Sequence, residues 1–149
     1  MRRKHSGAAL RDAQVIQMAM IPVPLRWLIT AALVLATVLI SIVPGHARPG
    51  DSAFVWLVAN TPDTLQKWMH FFVYAALAWL WAWTLESITP RWTRFLFVFV
   101  LCVGLGVFLE WYQTRVPGRF GTLFDVFLNT AGVIAGLTLA WLKPPSGLF

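Results

Sequence analysis

Charge is what this chain has least of. Of its 149 residues only 12% are Asp, Glu, Lys or Arg, about half the share of roughly 25% that a soluble domain carries. Acidic residues are the scarcer sign, six against twelve basic. With 58% of residues hydrophobic, an ordinary water-exposed globule is excluded, and one small integral membrane domain is the class that fits. Cysteine is nearly absent. The single Cys102 excludes an intrachain disulfide and a cysteine-rich metal site. It lies mid-way along an apolar run and reads as a buried, inert thiol. There is no phosphate-binding glycine loop, no serine-nucleophile motif and no HExxH spacing. The net charge of +6 does not point to nucleic acid, because the basic residues sit in the terminal segment and short loops and form no face.

What is abundant is tryptophan, nine in all. Trp27, Trp68, Trp83, Trp92, Trp111 and Trp141 fall near the expected ends of apolar segments, where a membrane-interface belt would hold them. The fold expected is all-α, a membrane bundle of four transmembrane helices. Residues 1–20 form a basic tail with Arg2, Arg3, Lys4 and Arg11, and residues 21–149 form the membrane domain. The spans are expected over about 25–43, 62–85, 93–113 and 123–142, each near the 20 residues that a bilayer requires. A cleaved signal peptide is the alternative for the first, but its apolar stretch exceeds the roughly 7–15 residues of an h-region. Thr30, Thr37 and Ser41 are its polar groups, and a helix can return such hydroxyls to its own backbone. The FVWLV patch at Phe54–Val58 is too short to cross and is expected at the interface. Thr61 reads as an N-cap, Pro62 as the first helical residue and Asp63 as a favourable charge at the positive end of the helix dipole.

Four spans put both termini on one side. Arg2, Arg3, Lys4, Arg11, Arg26, Arg91, Arg94 and Lys143 then share that side, against Arg48, Lys67, Arg115 and Arg119 on the other. The richer side is expected to be cytoplasmic. Polar residues of four groups then gather on the extracytoplasmic side: QKWMH (Gln66–His70), EWYQ (Glu110–Gln113), PGR (Pro117–Arg119) and DVFLN (Asp125–Asn129).

Helical spacing places Lys67 with His70, Glu110 with Gln113, and Asp125 with Asn129 on shared faces. Gly132 and Gly136 continue the last stripe as a close-packing face. Ionisable residues in spans usually face a bundle interior or an aqueous cavity, so a pocket lined by Lys67, His70, Glu110, Gln113, Arg119, Asp125 and Asn129 is expected. Each also has a plainer reading. Thr122 and Asp125 resemble a capping box, Arg119 can snorkel to headgroups and Lys67 can pair with Asp63. Gln113 can simply end its helix, and Asn129 can serve as interhelical glue. His70 and Glu110 lie a turn or more inside apolar sequence with no helical-spacing partner of opposite charge. A metal site from His70, Glu110 and Asp125 suits in ligand type only, and no cofactor is indicated.

The order QKWMHFFVY, GVFLEWYQ and PGRFGTLFDVFLNTAGVIAG resembles the VanZ-like family, named for a teicoplanin-resistance protein. The resemblance covers about Gln66 to Leu137 and rests on the joint pattern of Lys67, His70, Gly106, Glu110, Gln113, Arg119, Asp125, Asn129 and Gly132. It implies a small helical protein of the bacterial inner membrane and a link to glycopeptide resistance. The family usually places Asp just before the Lys, where this chain has Gln66. Asp63, one turn earlier, is the expected substitute.

The favoured expectation is a protein that binds an anionic envelope component, with or without processing it. Lys67 and Arg119 would hold the anion, His70 and Glu110 would handle a proton, and Gln113, Asp125 and Asn129 would orient the rest. Membrane lipids or an anionic envelope precursor are the expected partners. A small transporter-like subunit and a structural assembly factor remain the alternatives. The apolar stretches Leu77–Leu85, Phe95–Leu105 and Ala131–Ala140 oppose a polar path across the membrane.

Overall fold

The computed structural model describes residues 21–142. They form five helices and, among the described residues, no strand: α1 (Val23–Ile42), α2 (Ala53–Ala59), α3 (Asp63–Thr84), α4 (Arg91–Gln113) and α5 (Leu123–Leu142). The basic tail over residues 1–20 and the stop at Lys143–Pro145 lie outside the described residues.

Proline sets three of the helix starts. Pro22, Pro62 and Pro90 each precede a long helix, with φ of -58, -58 and -54°. The ring holds that angle, and the missing N–H would have found no helical partner there. Their carbonyls begin the ladders, accepting from Arg26, Gln66 and Arg94. Thr61 is therefore not the N-cap expected for α3. Its hydroxyl donates instead to the Leu57 carbonyl at 2.9 Å and closes α2, leaving Pro62 at the cap position and Asp63 in the first turn. For the same reason α4 begins at Arg91, two residues ahead of Thr93.

By length and composition α1, α4 and α5 can cross a membrane. At 22 residues α3 is as long, but Gln66, Lys67 and His70 near its start make it more polar. The FVWLV patch becomes α2, capped by Ser52 and with no buried residue.

Burial in α1 runs opposite to that of a helix in water. Its buried residues are Arg26, Thr30, Thr37 and Ser41, while Leu28, Leu35 and Leu39 face outward. Thr37 and Ser41 donate to Leu33 and Thr37 carbonyls at 2.8 Å each, the self-satisfied arrangement expected of hydroxyls in an apolar helix. Thr30 departs from it and meets the Thr84 hydroxyl of α3 at 2.8 Å.

The core lies between α3, α4 and α5 and comprises Tyr74, Leu77, Ala78, Val98, Cys102, Val133 and Leu137. Cys102 is buried within it, consistent with a packing role. The tightest seam runs between α3 and α5. A Cβ on Gly132 would run into the Phe71 carbonyl, and one on Gly136 into that of Ala75. The absent side chains are what let these backbones touch, the usual means of joining helices in lipid. This seam fixes the register that brings the polar end of α5 beside that of α3.

Gly132→Ala is therefore expected to lower thermal stability in detergent, by the roughly 1–3 kcal/mol typical of overpacking. Gly104→Ala, where an added Cβ meets nothing within 4 Å, should be neutral or stabilising by up to about 1 kcal/mol. Equal melting shifts in the two variants would refute the seam.

Candidate functional site

The site sits where the end of α1, the start of α3, the end of α4 and the start of α5 meet. Its centre is the Glu110 carboxylate, 4% exposed on the last turns of α4. Oε1 lies 3.4 Å from His70 Nδ1 of α3 and accepts from Asn129 Nδ2 of α5 at 3.4 Å. Oε2 accepts from the Thr122 backbone N–H at 3.3 Å. Gly121 makes that approach possible, since a Cβ there would meet the Glu110 carbonyl.

The Asn129 amide turns its NH2 toward Glu110, whose carboxyl oxygen accepts. Its Oδ1 then faces His70 Nδ1 at 3.0 Å. With two acceptors before it, Nδ1 carries the hydrogen. His70 Nε2 is left with no hydrogen bond to any described residue, and the ring lines a cavity of about 480 Å³. A carboxylate orienting an imidazole through Nδ1–H, with Nε2 open, is an arrangement suited to accepting a proton.

The capping box expected at Thr122 and Asp125 is half present. Thr122 Oγ1 accepts from the Asp125 N–H at 3.1 Å and donates to Asp125 Oδ2 at 2.6 Å. The Thr122 N–H, which a full box would give to Asp125, goes to Glu110 instead. Two carboxylates thus share the positive end of α5. Asp125 also lines the cavity.

Arg119 has a different surrounding from the one expected. Nε donates to the Val43 carbonyl at 3.1 Å, Nη2 to that of Ile40 at 3.3 Å and Nη1 to Gln66 Oε1 at 3.0 Å. Gln66 in turn donates to the Thr61 carbonyl at 2.7 Å. The fork therefore staples the α4–α5 loop to α1 and α3. Snorkelling outward is not its geometry. Burial pushes the guanidinium pKa down from the ordinary arginine value, with Glu110 opposing the shift. Gln66 itself meets Arg119, while Asp63, the expected substitute, sits on the cavity wall without an ion pair among the described residues. Lys67 does not pair with Asp63 either. Its Nζ stands 5.6 Å from the centroid of Phe124, at the cavity rim. Gln113 is buried, lines the cavity, and its side chain bonds to no described residue. Among the described residues no group of three or more His, Cys, Asp or Glu is placed to hold a metal ion.

The VanZ/LLP1 family profile matches residues 11–144. The chain belongs to the VanZ/LLP1 family. That match is wider than Gln66–Leu137, the stretch whose motifs carry the resemblance, and takes in α1 and α2. No curated protein and no solved structure matches the chain.

A second polar cluster of this VanZ/LLP1 chain escaped the sequence reading, which used Arg26 and Arg94 only as counted charges. At the opposite end of α1 and α3, Arg26 Nη1 lies 3.9 Å from Glu86 Oε2, and the Arg26 guanidinium is 4.8 Å from the Trp83 ring centroid. Arg94 is buried at the start of α4. The polar stripe of Arg26, Thr30, Thr37 and Ser41 at near-helical spacing was the available signal. Between the two clusters lies the apolar core.

Arg119→Lys keeps the charge but replaces a three-way fork with one nitrogen. It is expected to lower stability by about 1–3 kcal/mol, the cost of stranded buried acceptors. Thermal unfolding of the purified variant tests this; an unchanged midpoint would show the staple to be dispensable.

Proposed function

We propose that this VanZ/LLP1 protein spans the bacterial inner membrane four times, through α1, α3, α4 and α5. Both termini are then cytoplasmic, and the cavity opens on the extracytoplasmic side. The close seam between α3 and α5 supports counting α3 as a span, since its 22 residues reach about 33 Å at 1.5 Å each. The distribution of Lys and Arg supports the orientation.

Within that frame the cavity binds an anionic envelope component and brings a proton acceptor to it. The observation that carries this reading is the open Nε2 of His70, oriented through Nδ1 by Glu110 and Asn129. Lys67 supplies the charge for a phosphate or carboxylate. Arg119 contributes the N–H groups left over from its three bonds, so its share in binding is smaller than its share in holding the loop. Gln113 and Asp125 are placed to meet hydroxyl groups beside the anion, and Asn129 acts by setting the His70 ring. Proton abstraction from such a hydroxyl is the chemistry that the pair favours. A transport path is disfavoured by the buried Leu77, Ala78, Val98 and Val133 below the site.

Nitrogen NMR of His70 in detergent tests this directly. The neutral ring should be the Nδ1–H tautomer, and glycerol 3-phosphate should perturb Nε2 saturably while glycerol does not. Lys67→Ala should weaken that binding about tenfold, the worth of one charge-assisted contact. An Nε2–H tautomer, or a response to glycerol 3-phosphate that survives Lys67→Ala, would refute the assignment. His70→Gln, which can keep a donor toward Glu110 and Asn129 but has no ring base, separates a site from a packing cluster: the site reading expects it to stay folded and to lose any envelope phenotype.

A further inference from the structure

The cavity wall does not end at a polar rim. Phe120 lines it and is 82% exposed. Lys67, an exposed cation that also lines the cavity and has no ion pair among the described residues, stands over Phe124. Phe124 stacks on Phe127 one turn further along α5, with ring centroids 6.4 Å apart, and both rings are exposed. On α3, Trp68 stacks on Phe72 at 6.1 Å, again both exposed. The polar interior thus passes through one cation directly onto an aromatic outer face. At the inner end, Gln113 is only 5% exposed, and its amide has no hydrogen-bond partner among the described residues. Its amide atoms are not among the described side-chain atoms shut away from solvent without a partner, so they face the cavity. Its position on the cavity wall makes a bound ligand the natural partner.

Resting on the proposed binding role, we infer that the ligand is an anionic membrane lipid that enters sideways from the bilayer. Its phosphate lies against Lys67, its headgroup hydroxyls reach toward Gln113, and its acyl chains lie along Phe124 and Phe127. Charge and shape argue together for this occupant. A freely dissolved anion would use Lys67 and the cavity but would gain nothing from the aromatic rings that adjoin them. A neutral lipid would use that face and leave Lys67 unmatched. Only a molecule with both parts uses the whole continuous surface. The lysine stem lies along the apolar rings while its head stays at the interface, the usual posture of such a residue.

Photo-crosslinking of the full chain in phosphatidylcholine nanodiscs tests the inference. The probe is phosphatidic acid with a diazirine on one acyl chain, and diacylglycerol with the same diazirine is the headgroup-free control. Phosphatidic acid should concentrate its adducts on the segment around Phe124–Phe127. Lys67→Ala should reduce that labelling about tenfold, and Lys67→Arg should largely keep it. Diacylglycerol should label the outward faces without this preference and without dependence on Lys67. Excess glycerol 3-phosphate should compete for the phosphatidic acid adducts. Identical adduct maps from the two probes, or labelling indifferent to Lys67→Ala, overturn the lipid assignment. If glycerol 3-phosphate still perturbs His70 in that case, the anion site stands and only its lipid occupant falls. If it does not, both readings fall.

Discussion

A single buried carboxylate organises the polar end of this protein. Glu110 is drawn out of water on α4, and a carboxyl so placed needs hydrogen-bond donors around its oxygens. Those donors come from three directions: the His70 ring of α3, the Asn129 amide of α5 and the Thr122 N–H at the start of α5. Each is held by something else. Asn129 is placed by the glycine seam, and Thr122 is placed by Gly121 and by its own bonds to Asp125. The site and the bundle therefore share one set of constraints, and the proton assignment of His70 follows from the packing of helices.

Arg119 and Lys67 divide the labour of positive charge. The guanidinium, with its rigid fork, is used on carbonyls at the end of α1 and on Gln66. These are groups that a helix terminus or a loop would otherwise leave exposed in a thinly hydrated place. The ammonium of Lys67, on a flexible stem, is kept at the rim. The residue that builds the cavity is thus distinct from the one that remains open to a visitor. Gln66 shows why a neutral amide can stand where the family usually carries Asp: its carbonyl accepts from Arg119 while its NH2 caps the Thr61 carbonyl.

The two ends of the bundle are polar and its middle is not. Arg26, Glu86 and Arg94 form a separate set at the end away from the cavity, with Tyr74, Leu77, Val98 and Val133 between. That separation fits a one-sided site in a membrane protein, with chemistry or binding confined to one interface. The inverted burial of α1 has its own cause: its hydroxyls are satisfied by backbone carbonyls or by Thr84 and can pack against neighbours, while leucines face outward.

Composition, periodicity and proline placement were enough to determine that the described chain is helical, and to set both ends of each of its four long helices to within two residues. These depend on local chemistry: apolar length, fixed φ at proline, and side chains repeating at helical spacing. Thr61 was misread as a cap because Pro62 takes that position once α2 forms just before it, which spacing along one helix does not reveal. Only the tertiary structure decided who meets whom. It gave Arg119 to backbone carbonyls and Gln66, left Asp63 and Lys67 unpaired with each other, diverted the Thr122 N–H to Glu110, and gathered Arg26 with Glu86. Those pairings depend on the relative register of helices, which is set where Gly132 and Gly136 let two backbones touch.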